Sequence, residues 1–587
     1  MKKRFLFIAR YYSIEPLGIH YLAGIVRDAD WVCNVVLVKE NEFKSLYDII
    51  NKWKPDMVGC QILTGFHIHA FLACDTIRAM GIPVVIGGPH ATYFSAECVR
   101  HADFVVQGSG FRILRSILTG IVSKGVHFDR QGRDENFPIP NRDLIYETYP
   151  EFGASPIKSI IGSVGCPMTC TYCYAPTFNE MHGGFRLIVR SVSELITEIR
   201  TIMYRWPLVM VYWQDDIFGY DMRWLEEFAK RWPIEVGVTF HCQIRLELTS
   251  NDIGSKRLDL LKLAGCSGIT LAIESGNEFL RDRVLFRHMS EDLIIEGCRK
   301  IMDRGMTLRT EQILAVPFSD TLTDLSTLDL SAHINPEMAW ISILAPYGGT
   351  NMSKIASNFG LYTGNNDDLS DNFFDRSILQ HVARGTSDIE RIVESLGIHP
   401  KAPPSKQPLL QLHAFREGNI GNVMHNGIKL GTIEYLDEIT NKRYCDNIVR
   451  LQRLFNWLSK IPNAEQFASR LLSIPESEWN WEAIGKTAII HLRYYGYGCQ
   501  LEDWSIQLAQ EMGITDNKLP EPIAQNPVYF VFFHEGGILA HKALESGVFD
   551  KSLSTLAMLD NLSTITRRHL FYYSLYKLEV GKSPIAI

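Results

Sequence analysis

Three cysteines in Gly165-Cys166-Pro167-Met168-Thr169-Cys170-Thr171-Tyr172-Cys173-Tyr174 stand at C-x3-C-x2-C, with an aromatic residue just ahead of the third. The chain has 12 cysteines and only these cluster. Thiolates are soft ligands that favour iron–sulfur clusters or zinc. A closed structural site needs a fourth ligand nearby, usually a second C-x2-C or a Cys/His pair. None follows, since the next cysteine is Cys242. Three ligands on one tight loop suit a 4Fe–4S cluster with one iron left open to a substrate. A zinc site or a buried cysteine cluster is the structural alternative.

A loop of this kind needs a scaffold, and the chain is long enough for several. At roughly 100–200 residues per domain, 587 residues suggest three or four domains. Hydrophobic residues make up 46% of the chain, ample for large cores. A net charge of -7 and a pI near 6.2 argue against a nucleic-acid partner held by bulk charge. The scattered cysteines show no disulfide-like framework, and a labile cluster needs a reducing compartment, so a cytoplasmic location is expected. Met1–Arg10 holds an apolar core of only five residues ended by Arg10. That is short for a signal peptide and reads as a first buried strand. No apolar run approaches the roughly 18 residues of a membrane span.

Residues 1–125 alternate short β-rich runs with helical patterns. Strands are expected at Phe5–Ala9, Val32–Val38, Met57–Leu63, Val84–Gly88 and Phe104–Gln107, with helices between them. This alternation predicts a doubly wound, Rossmann-like (flavodoxin-like) parallel α/β sheet. Ligands of such sheets lie in the loops after the strands. Those loops carry Glu15, Leu17 and Gly18, with Tyr21 in the helix that follows; Thr64 and Gly65; Gly87, Gly88, Pro89, His90 and Thr92; and Gly108. His67 and His69 follow the third strand.

Residues 126–157 contain the proline-punctuated linker Phe137-Pro138-Ile139-Pro140-Asn141-Arg142. Six strand–helix repeats are then expected over 158–355, from Ser159–Ser163, which delivers the cysteine loop, to Trp340–Leu344. Polar residues fall at the strand ends, as on a binding rim: Asp215 and Asp216, Arg245, Glu274 and Ser275. Acids there suit an ammonium or a ribose diol and arginine a carboxylate, although a strand-end acid also commonly caps the next helix. Residues 356–587 are expected to form a mainly α-helical domain that caps the barrel. Its helices fall at Cys445–Lys460, Ala464–Leu472, Ala483–Tyr494 and Leu501–Met512, with further helix at Gly536–Gly547 and Phe571–Leu578. His534-Glu535 is too weak a pair to read as a metal site.

The cysteine motif, with Tyr172 before its last cysteine, resembles the signature of the radical S-adenosylmethionine (SAM) superfamily. Glu15-Pro16-Leu17-Gly18-Ile19-His20-Tyr21, Val84–Thr92 and Asp103–Gly108, ahead of that motif, resemble the cobalamin-binding domain of its cobalamin-dependent members. The resemblance covers roughly 1–355. It implies a partial (β/α)6 barrel whose cluster, bound by Cys166, Cys170 and Cys173, binds SAM through its open iron and cleaves it to a 5′-deoxyadenosyl radical. Tyr172, Asp215, Asp216, Arg245, Glu274 and Ser275 would bind SAM, and the loop residues of 1–125 cobalamin. Arg283–Arg287 also resembles a family segment. The D-x-H-x-x-G motif is absent, so no lower cobalt ligand is assigned, unless His67 or His69 serves; separately, Gly108-Ser109-Gly110-Phe111 lacks an acid that the family's cobalamin pocket usually carries. The commonest activity implied is methylation of an unactivated carbon of a small-molecule or peptide substrate, with electrons from an external donor such as flavodoxin or ferredoxin. Rearrangement, cyclisation or oxidation without methyl transfer, and a Rossmann domain that has lost cobalamin, are the alternatives.

Overall fold

Strand β1, Arg4–Arg10, holds five buried apolar residues between two arginines. Such continuous apolar runs are what a parallel sheet covered on both faces requires. In a computed structural model describing residues 2–12, 14–39, 43–130, 137–155, 157–370, 372–397, 408–459 and 464–473, two units are found. The first comprises 1–166, 178–216 and 366–372, and the second 167–177, 217–365 and the chain from 373 on.

In the first unit β1 is joined by β2 (Val32–Val38), β3 (Met57–Gln61), β4 (Val84–Gly87), β5 (Phe104–Gly108) and β6 (Gly125–Asp129). All pairs are parallel, in the order β2-β1-β3-β4-β5-β6. The order reverses between β1 and β3, which opens a crevice at their C-terminal ends. Leu6, Ile8, Val58, Cys60, Val84, Ile86 and Val105 form the centre of the core. β6 lies beyond the boundary expected at residue 125. It was hard to anticipate because Gly125-Val126-His127-Phe128-Asp129 is short and half polar.

A buried charge network ties β1's loop to the strand that follows the linker. Glu15 accepts hydrogen bonds from the Ser159 amide (2.9 Å) and pairs with His20 Nε2 at 2.9 Å. Arg142 donates to Glu198 at 2.7 Å and to the Ser159 carbonyl at 3.1 Å, and Arg190 lies 2.6 Å from the other Glu198 oxygen. Burial pushes the Glu15 carboxyl up, but His20, Arg142 and Lys158 outweigh it and hold it at about 2 rather than 4.5. A depressed folded-state value stabilises the fold fully above the unfolded value and progressively less as pH falls through the folded one. Glu15→Gln is therefore expected to melt below the wild type at neutral pH, with the gap closing as pH drops from about 4.5 towards 2. Thermal melts across that range check it.

The barrel expectation is met by six parallel strands: β7 (Ile157–Ile160), then β10 to β14. Between them come the two-residue strands β8 (Ser163–Val164) and β9 (Ile188–Val189), which pair antiparallel. The single strand expected at Ser159–Ser163 is thus broken at Ile161–Gly162. In the first unit β7 pairs with β10 (Met210–Trp213). In the second, β11 (Thr239–Gln243), β12 (Cys266–Glu274), β13 (Thr307–Leu314) and β14 (Met338–Ile343) pair in chain order. Helices alternate with them, and several begin at side-chain caps, such as Ser290 on the Leu293 amide and Thr350 on the Ser353 amide.

After the barrel the second unit adds an antiparallel sheet, β15 (His413–Glu417), β16 (Ile420–His425) and β17 (Ile428–Glu434), where helix was expected to dominate. Its turns, at Gly418 and Asn426-Gly427, have positive φ, a hairpin signature. Helices Glu438–Leu458 and Ala464–Ser473 agree with the expected periodicity. The expected helices beyond residue 473, and His534-Glu535, lie outside the described residues. No helix among those residues is long and apolar enough to cross a membrane.

Candidate active site

The root of the cysteine loop belongs to the first unit and is fastened to the end of β10. Asp215 is buried, with one oxygen accepting from the Gly162 amide (2.8 Å) and the other from Ser163 Oγ (2.6 Å). Burial pushes its carboxyl up to about 7 against those hydrogen bonds. Asp216 is exposed and accepts from the Gly165 amide at 2.8 Å. Asn179 Nδ2 donates to the Cys166 carbonyl at 2.9 Å. Gly165 has φ +119°, and a Cβ there would lie 2.1 Å from the Arg186 carbonyl oxygen. Gly165→Ala is accordingly expected to displace the loop at a cost of at least about 1–3 kcal/mol and to lose most of the reconstituted iron. Iron content per chain checks this.

The rest of the loop lies in the second unit, where four of the expected residues converge with one that was not assigned a role. Tyr172 donates a short hydrogen bond to Glu274 Oε1. Arg287 Nη1 reaches the same oxygen at 2.9 Å and the Tyr172 hydroxyl at 3.1 Å. Glu274 Oε2 makes no hydrogen bond among the described residues. Glu274 ends β12 at a register shift, with φ +65°. A left-handed non-glycine residue is strained and marks a position fixed by its surroundings. Burial pushes its carboxyl up, opposed by Arg287 and by the Tyr172 hydrogen bond. Arg287 itself sits between two left-handed residues, Phe286 (φ +60°) and His288 (φ +43°). Ser275 braces the turn: its Oγ accepts from the Asn277 amide at 3.2 Å, and Arg281 holds its carbonyl at 2.7 Å.

Arg245, just past β11, donates to Cys170 Sγ at 3.4 Å and forks onto Glu247, with Nη2 at 2.5 Å and Nε at 3.1 Å. The Ala175 amide donates to Cys173 Sγ at 3.4 Å. Two cysteine sulfurs thus each receive an N–H donor, one from a guanidinium. That environment suits thiolates bound to a cluster. The residues present fit an iron–sulfur cluster.

The C-terminal edge of the first sheet gathers most of the expected cobalamin loops. Gly18 is exposed, with nothing within 4 Å of where a Cβ would be, and Gly87 would meet only the Val106 carbonyl oxygen at 3.9 Å. Gly65, Gly88 and Gly108 all have positive φ, and Pro89 is exposed at a helix start. Leu17 is half-buried. Thr64 Oγ1 bonds His90 Nδ1 at 2.9 Å, and Thr92 Oγ1 links the Gly88 carbonyl (3.0 Å) to the Gly108 amide (3.1 Å). This backbone-rich edge fits a flat macrocycle laid along the strand ends. Two residues sit apart from it: Glu15 is committed to the network above, and Tyr21 is buried under Arg190, whose Nη1 donates to its hydroxyl at 3.1 Å.

His67 is buried and stacks on His90 with ring centroids 4.3 Å apart. The Gly65 amide donates to His67 Nδ1 at 3.2 Å, so the ring proton sits on Nε2, which faces Asp367 at 2.9 Å. Both His67 ring nitrogens are thus engaged by neighbours within the first unit. His69 is exposed.

Comparison with known proteins agrees with this architecture. The B12 binding domain family matches residues 3–118 and the Radical SAM superfamily matches residues 160–325. An uncharacterized methyltransferase of Pyrococcus horikoshii is 23% identical over 369 residues, covering 58% of this chain and 78% of its own. The hopanoid C-3 methylase of Methylococcus capsulatus is 22% identical over 212 residues, covering 32% and 40%. Among solved structures, the radical SAM methyltransferase TsrM of Kitasatospora setae with cobalamin and a 4Fe–4S cluster bound superposes with a TM-score of 0.52 at 14% identity, covering 87% of this chain and 99% of that one. The cobalamin-dependent SAM radical enzyme OxsB with aqua-cobalamin bound gives 0.53 at 13% identity, covering 100% and 82%. These structural likenesses concern the fold. A B12 binding domain followed in one chain by a radical SAM domain makes the protein a cobalamin-dependent radical SAM enzyme.

Proposed function

We propose that the enzyme methylates an unactivated carbon of a specialised substrate, a small molecule or a peptide, with SAM as both methyl and radical source. The observation that carries this reading is the donor set on the Cys170 and Cys173 sulfurs, in a chain that also presents a glycine-lined cobalamin edge. Cys166, Cys170 and Cys173 hold a 4Fe–4S cluster, which supplies one electron to SAM when bound. Asp216 receives the SAM ammonium; one of its oxygens accepts from the Gly165 amide, and Oδ1 has no hydrogen bond among the described residues. Glu274 offers Oε2 to the ribose. Tyr172 and Arg287 hold Glu274 in place, Ser275 braces its turn, and Asp215 fixes the loop root. Gly18, Gly65, Gly87, Gly88, Pro89 and Gly108 let cobalamin approach the backbone, with Thr64, His90 and Thr92 bonded behind them. Two relatives named as a methyltransferase and a methylase support the methylating outcome. Flavodoxin or ferredoxin serves as electron donor in a reducing cytoplasm.

The test is an anaerobic assay of reconstituted protein with SAM, hydroxocobalamin and a strong reductant, read by mass spectrometry. Formation of 5′-deoxyadenosine and S-adenosylhomocysteine together, the latter dependent on cobalamin, is the expected result. Deoxyadenosine alone, with turnover of a substrate that gains no methyl group, would place the enzyme in the non-methylating branch. Products indifferent to cobalamin would remove the first domain from the chemistry.

A further inference from the structure

We infer that Arg245 and Glu247 set the electron affinity of the cluster site in opposite senses, Arg245 through its hydrogen bond to Cys170 and Glu247 by partly cancelling that charge. The inference rests on the reading of Cys166, Cys170 and Cys173 as cluster ligands and deepens it. It gives Arg245 a different role from the SAM carboxylate contact that its strand-end position first suggests.

The geometry carries it. Arg245 Nη1 lies 3.4 Å from Cys170 Sγ, while Nε and Nη2 are occupied by the two oxygens of Glu247 at 3.1 and 2.5 Å. The fork is planar and rigid, so a guanidinium held by one carboxylate presents its remaining N–H in a fixed direction. Arg245 is 9% exposed and Cys170 4%, so water screens the contact poorly. Cluster potentials depend on net charge, burial and hydrogen bonds to the sulfurs. A positive donor on a thiolate sulfur favours the reduced, more negative cluster, and a carboxylate behind that donor disfavours it. Lysine cannot reproduce both contacts, because its point charge cannot fork onto Glu247 while reaching sulfur along a set line. The pair therefore positions charge at the cluster without touching substrate.

The test is a redox titration of the full-length reconstituted protein without SAM, followed by the electron paramagnetic resonance of the reduced cluster. Arg245→Gln is expected to lower the midpoint by about tenfold in the reduction equilibrium, or about 59 mV for one electron. Glu247→Gln, which keeps the shape and a hydrogen bond, is expected to raise it. Arg245→Lys is expected between wild type and Arg245→Gln. A merely structural pair would not move the midpoint in opposite directions. Unchanged midpoints in both Gln variants, at wild-type iron content, would overturn the inference while leaving the cluster reading intact. If Arg245→Gln does not retain iron, Glu247→Gln decides: a rise supports the inference, and no change or a fall overturns it. A wild-type chain that takes up no iron overturns the cluster reading itself, and the inference with it.

Discussion

Cys170→Ala is expected to leave a folded protein that no longer cleaves SAM, with 5′-deoxyadenosine formation falling by more than the roughly 10–100-fold that loss of an outer-shell partner costs. Cys170 is buried, and its sulfur faces a guanidinium rather than an apolar wall. Removing the sulfur leaves Arg245 paired with Glu247, so the charge there stays balanced and the fold survives. Cys242→Ala provides the contrast. Cys242 is as deeply buried, lies 3.9 Å from Cys266 and stands apart from the cysteine loop. It is expected to cost a little stability and no SAM cleavage. Iron content, a thermal melt and deoxyadenosine yield on both variants separate the two cases. Equal losses of activity in both would deny the cysteine loop its special place.

Arg287→Met is expected to be the most damaging single change to the barrel side of the site. Arg287 is 2% exposed and binds Glu274, the Tyr172 hydroxyl and the Ala272 carbonyl at 2.9, 3.1 and 2.7 Å. Taking away one partner of a buried ion pair strands the other charge, at about 3–5 kcal/mol. For a domain of this size that lowers the melting temperature on the order of 10 °C. Glu274, already pushed up by burial, would lose the charge that opposes the shift and be pushed up further. Adding Glu274→Gln to Arg287→Met removes the stranded charge. The double variant is expected to recover part of the stability and none of the SAM cleavage. Melts of the cluster-free chain check the first point and product yield the second. A single variant that melts like the wild type would contradict the pairing.

The strands were legible because parallel strands buried on both faces read as unbroken apolar runs, and the cysteine motif was legible because its ligands lie on one short loop. Asp216, Arg245 and Glu274 were singled out from a local cue, a polar residue just past an apolar run. Arg287 carried only a resemblance, because its meaning depends on Tyr172, 115 residues away. Two left-handed neighbours fix its direction, and neither Phe286 nor His288 announces such a backbone by type. Glu15 and Tyr21 were read as ligand contacts from a resemblance of their segment, yet the charges that occupy them come from beyond the linker, at Arg142 and Arg190. The antiparallel sheet at 413–434 was overlooked although Asn426-Gly427 marks one of its hairpins, because the surrounding run mixes polar and apolar residues without the strict alternation of a half-buried strand.

The central claim is that one chain holds cobalamin in its first domain and a cluster on its cysteine loop. The most direct measurement is the cobalt and iron content of protein purified anaerobically from cobalamin-supplied cells. It would be made on the wild type and on the triple variant Cys166→Ala/Cys170→Ala/Cys173→Ala. Both metals in the wild type, with iron lost and cobalt kept in the variant, is the predicted result. A wild type without cobalt, or a variant that keeps its iron, would contradict it.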